Sequence, residues 1–61
     1  MTKYSKLASV QTEVDAAYLY SQLANAETEK PIADIYRQMA AIEQTHALAM
    51  MGTELLPAPS W

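Results

Sequence analysis

The sequence predicts an all-α fold, an antiparallel helical hairpin that dimerises into a four-helix bundle. Three observations carry that expectation. Helix formers dominate residues 1–56, where Pro31 is the sole proline and Gly52 the sole glycine. No alternating apolar and polar run of strand type competes with the helical period. The apolar stripes on the two helices are broader than two helices can cover for each other, which calls for a partner.

Helix 1 is expected from about residue 2 to 27. Pro31 is tolerated at the first position of a helix and seldom inside one, so a short turn over 28–30 precedes a second helix from 31 to about 55. Thr28 or Lys30 stands near the second N-cap. Residues 1–56 form the helical domain. Residues 57–61, Pro-Ala-Pro-Ser-Trp, cannot continue the helix and form an extended tail or linker; Trp61 is given no role.

At 100° per residue, Ile32, Ile35, Tyr36, Met39, Glu43, His46, Ala47 and Met50 share one stripe of helix 2. The best stripe of helix 1 holds Val10, Glu13, Ala16, Ala17, Tyr20 and Ala24, with Val14 and Leu23 at its margins. Leu7, Tyr18 and Leu19 fall outside it and mark a second contact surface. Together with Leu48 they leave assemblies larger than a dimer open.

Length and charge exclude several classes. A chain of 61 residues is one small domain and buries only about 60% of its unfolded surface. Without cysteine it has neither a disulfide nor a Cys/His zinc cluster to compensate. Oligomerisation and a metal held by carboxylates and histidine remain. A formal net charge of −3 with no basic run argues against nucleic acid. The longest apolar run, residues 47–51, is far too short to insert in a membrane. No hydrophobic signal region follows the N-terminus, so a cytoplasmic location is expected.

Three ionisable residues interrupt the apolar stripes: Glu13, Glu43 and His46. A buried carboxylate costs several kcal/mol, on the order of 3–5 when its partner is missing, unless it is paired, protonated or bound to a cation. Glu43 and His46 stand at i and i+3 and can grip one ion. Glu13 and Glu43 are equidistant from Thr28, as are Tyr20 and Tyr36, and Ala17 and Met39, so a turn at Thr28 brings each pair to one height. Two hairpins packed head to tail gather four glutamates and two histidines, and the four carboxylates neutralise two divalent ions. The bland alternative is a structural Glu–His hydrogen bond. Met39, Met50 and Met51 read as packing, since thioethers do not suit a carboxylate site. Glu27 and Glu54 read as capping or solvated charge near the bundle ends.

Glu13, Ala16, Ala17 and Tyr20, followed by Leu23 and Ala24, together with Tyr36, Met39, Ala40, Glu43, His46 and Ala47, resemble the first half of a rubrerythrin or ferritin-like di-iron domain over roughly residues 7–51. The resemblance implies a ferritin-like four-helix bundle holding two Fe ions per dimer, with Mn or Zn as alternatives. Its ligands would be Glu13, Glu43 and His46. Tyr20 would be the catalytic tyrosine, bonded to a ligand carboxylate or supplying an electron.

The usual family domain has four helices in one chain; this one is similar to the short encapsulin-associated ferritins, which build the site across a dimer. That likeness implies an encapsulin shell as partner and its lumen as location. Residues 55–61 also resemble the linker after the rubrerythrin-like domain of vacuolar-iron-transporter-type membrane proteins. On that likeness the chain is an excised domain at the cytosolic face, with transport residues elsewhere. The implied function is Fe(II) oxidation of ferroxidase or peroxidase type in a homodimer. The alternatives are a metal-sensing or regulatory domain of an iron or manganese transporter and a structural dimerisation hairpin.

Overall fold

The computed structural model describes residues 3–52 and 55–61, with side chains from residue 6 onward. Two helices, α1 (Lys3–Ala26) and α2 (Lys30–Met51), pack antiparallel along most of their length. All regular structure among the described residues is helical. No helix among them is long and apolar enough to cross a membrane. The expectations for Thr2, Thr53 and Glu54 lie outside the described residues.

The turn spans residues 27–29 and is centred on Thr28. Glu29 is the N-cap of α2, with extended backbone angles and no side-chain capping bond. Its backbone carbonyl accepts from Ile32 and Ala33 N–H, while Glu27 Oε1 accepts the Glu29 N–H at 3.0 Å. Lys30 opens the helix, which moves Pro31 one place inward. There its missing N–H is still one of the donors that a first helical turn leaves unpaired.

α2 stops at Met51, short of the expected Leu55. Gly52 has φ +65°, a conformation that side chains disfavour, and its N–H closes on Leu48 O at 2.9 Å. The change of direction sends the chain back along the hairpin.

Alanine sets the interface. Ala33, Ala40 and Ala47 recur every seven residues in α2 and are buried, facing a stripe in α1 that carries Val10, Ala17 and Ala24 at the same spacing. Small side chains along both seams let the backbones approach closely. The cost is a thin core: among the described residues Val10 is the only large side chain fully buried. A cluster of Val10, Val14, Ala47 and Met51 lies toward the open end of the hairpin, with Met50 and Leu56 packed on it.

Helical phase places the exposed large side chains Leu19 and Leu23 on α1, and Ile32, Ile35 and Ile42 on α2, on one flank of this seam. Ile35 and Ile42 are 55% and 54% exposed. That flank is apolar and uncovered in the single chain. The tail lies along the other flank, where Leu7 and Leu48 remain 39% and 48% exposed.

The tail runs parallel to α1. Gln11 Nε2 donates to Ala58 O at 2.9 Å and to Asp15 Oδ1 at 2.9 Å. Asp15 also accepts the Ser60 N–H on Oδ1 at 2.8 Å and the Ser60 hydroxyl on Oδ2 at 2.7 Å. Trp61 stacks on Tyr18 at a centroid distance of 5.9 Å, which gives the last residue a contact that sequence reading did not assign. The register follows from geometry: a proline-type extended strand rises about 3.1 Å per residue and an α-helix about 1.5 Å. Two tail residues therefore match four residues of α1, as from Ala58 to Ser60 against Gln11 to Asp15.

These bonds hold the Asp15 carboxyl below its ordinary value of 3.8, the Ser60 N–H first, then the Ser60 hydroxyl, then Gln11. A depressed carboxylate favours the docked tail above its unfolded pKa, and that contribution is lost as pH falls through the lower folded value. Trp61 emission followed from about pH 6 to about pH 2 should therefore report tail release on the acid limb, below 3.8. Asp15→Asn should flatten that limb; an unchanged acid transition in the variant would assign it to other groups.

Candidate metal centre

Glu13 projects from the middle of α1, and Glu43 and His46 lie on successive turns of α2. The antiparallel packing of the two helices about the Thr28 turn brings them to one level. One donor atom from each residue lies within 4.8 Å of the other two. Glu13 Oε2 stands 3.5 Å from His46 Nδ1, within ion-pair range but outside hydrogen-bond geometry. It is also sealed from solvent and has no hydrogen-bond partner. Leaving such an acceptor unsatisfied costs about 1–3 kcal/mol, and more when it is charged.

The spacing fits an ion better than it fits a hydrogen bond. Donors at about 2.1 Å from one tetrahedral ion stand about 3.4 Å from each other. Carboxylate oxygens and an imidazole nitrogen suit iron, manganese and zinc. One chain supplies three such residues, too few to enclose a pair of ions. The Glu13 side chain is 26% exposed and that of His46 56%, and both border the flank that carries Ile35 and Ile42. The incomplete side of the centre and the uncovered apolar face are thus the same side.

The carboxyl of Glu43 is raised above its ordinary 4.5. A proton shared with Glu13 is the main cause, burial and the Glu13 charge add to it, and His46 opposes them. Two carboxylates at one height compete for a single negative charge until a cation or a proton intervenes.

Tyr20 stacks on Tyr36, with ring centroids 6.5 Å apart and planes 19° from parallel. The pair lies two turns from the Glu13 and Glu43 level, on the side of the hairpin turn. Among the described hydrogen bonds none joins the Tyr20 hydroxyl to a glutamate. Met51 is in the core and Met50 packs on it, while Met39 is half-buried. Glu27 is occupied with the turn. Sequence reading missed the strap that Gln11, Asp15 and Ser60 form behind the centre. A carboxylate one turn beyond Gln11 on the tail-facing side was its only signal.

Comparison with protein-family models, with curated proteins and with solved structures gave no match. The reading of the centre therefore rests on its own geometry.

Because the raised Glu43 favours its protonated form in the folded chain, its contribution to stability is fully present below 4.5 and is lost as pH rises through the higher folded value. Metal-free protein should accordingly lose denaturant resistance from about pH 4.5 toward neutrality. Glu43→Gln should remove that slope. A wild-type profile flat over the same range would show that the two carboxylates do not share a proton.

Proposed function

We propose that this hairpin is a metal-binding unit that pairs with a second copy to form a ferritin-like four-helix bundle around two divalent ions, and that it oxidises Fe(II). The observation that carries the reading is the buried, unpartnered Glu13 Oε2 within ligand reach of Glu43 and His46. Pairing through the flank that bears Leu19, Leu23, Ile32, Ile35 and Ile42 would bury that apolar surface and bring a second set of three ligands to the first.

In this arrangement Glu13 and Glu43 hold the ions, and the four carboxylates of a dimer balance two divalent charges. His46 supplies one neutral nitrogen per chain. Carboxylates favour the ferric over the ferrous ion because they offer hard, anionic oxygen donors. Iron is the substrate: two Fe(II) give up one electron each, reducing oxygen with two protons to hydrogen peroxide, or peroxide with two protons to water. Tyr20 and Tyr36 wall the stripe beyond the centre.

Anaerobic Fe(II) titration followed by admission of air tests the reading. Uptake of two ions per dimer, then a ferric charge-transfer band that develops with turnover, is the expected result. Uptake without oxidation would instead support a metal-sensing module, and no uptake a structural hairpin. Glu43→Ala should abolish binding, whereas His46→Ala should weaken it by about tenfold or more while carboxylates remain. Two ions bound by the Glu43→Ala dimer at wild-type affinity would overturn the ligand assignment.

A further inference from the structure

The strongest feature outside the metal centre is the docked tail, and it grips the segment of α1 that bears Glu13. Gln11, two residues before Glu13, donates to Ala58; Asp15, two residues after it, accepts twice from Ser60. Leu56 packs on the cluster of Val10, Val14, Ala47 and Met51, in which Val14 is the neighbour of Glu13 and Ala47 the neighbour of His46. Leu56 and Pro57 also line a groove of about 250 Å³ together with Gln44, the neighbour of Glu43. Each of the three candidate ligands thus adjoins a residue that the tail touches or faces. The hydrogen bonds come from the flank opposite the ligands, so tail and ion do not compete for space.

We infer that residues 56–61 act as a positioning strap for the metal centre: docked against α1, they hold the turn that carries Glu13 in register with the turn that carries Glu43 and His46. This rests on the proposed metal-binding reading and adds a regulatory contact to it. The alanine seam makes the strap necessary, because methyl groups give little resistance to sliding, and at this level the larger contacts come from Val10, Val14, Met51 and Leu56. Linkage then makes the coupling reciprocal: an ion that fixes the two turns tightens the tail, and a docked tail raises affinity for the ion. Leu56, Ser60 and Trp61 are positioning residues and touch no ligand atom.

Trp61 is the single tryptophan, so its emission reports the tail alone. Ser60→Pro removes both donors to Asp15 while keeping the extended backbone and the reporter. The expected result is a drop in Trp61 anisotropy together with an Fe(II) affinity, measured anaerobically, lower by about fivefold or more at unchanged stoichiometry. Trp61→Ala should weaken affinity likewise, and Trp61→Phe, which can still stack on Tyr18, should restore it. In the wild type, Zn(II) should raise Trp61 anisotropy.

An affinity within about twofold of wild type in Ser60→Pro protein whose tail is released would overturn the strap. So would a tail that stays docked without the Ser60 donors. Failure of the wild type to take up Fe(II) or Zn(II) would overturn the metal reading as well. It would be recognised by a docked tail, with high anisotropy, that no ion perturbs.

Discussion

Glu13 and Glu43 approach from opposite helices at one height, with His46 beside them, and one oxygen of Glu13 is closed off from water without a donor. Two carboxylates in that position raise each other's energy, although both side chains remain partly exposed. A chain that places such a pair in the middle of its only helical interface needs a counter-charge there. The sharing of a proton that lifts Glu43 is a partial remedy; a cation held between the two is a fuller one. The register of the hairpin, the bareness of one flank and the fastening of the other all bear on how that pair is kept in place.

The helical hairpin was legible in the sequence because its determinants are local. Pro31 marks the start of the second helix to within a residue, and the spacing of Glu13, Glu43, Tyr20 and Tyr36 about Thr28 implied pairings that appear as a cluster of two carboxylates with His46 and a stacked aromatic pair. The end of α2 was less legible. Propensity favours helix through Glu54 and Leu55, and nothing in composition announces that Gly52 adopts a positive φ there. The docking of the tail was not legible at all. It depends on Asp15 and Gln11, more than forty residues away in sequence, and a carboxylate on a helix surface reads as solvated until the segment that binds it is seen.

The two flanks divide the work of a small protein. One leaves Leu19, Leu23, Ile35 and Ile42 exposed as a contiguous apolar surface. The other is partly covered within the chain, by Leu56 and Pro57 along the groove and Trp61 over Tyr18. Tyr18, which the helical wheel set aside as part of a second contact surface, finds its contact inside the same molecule. Leu7, Leu48 and Trp61 nonetheless stay exposed there, so that flank is narrowed as an apolar surface and not closed.

The alanine seam also sets how close the two helices stand at the level of the carboxylates. With Ala33, Ala40 and Ala47 facing Val10, Ala17 and Ala24, the breadth of the hairpin is set by methyl groups, and the donors of Glu13, Glu43 and His46 fall within 4.8 Å of one another. Two donors of a single ion stand no farther apart than about twice the metal–ligand distance, so by keeping the helices close the methyl seam leaves the three donors near enough for one ion to be shared. The width of the cluster is thus governed by side chains that take no part in it.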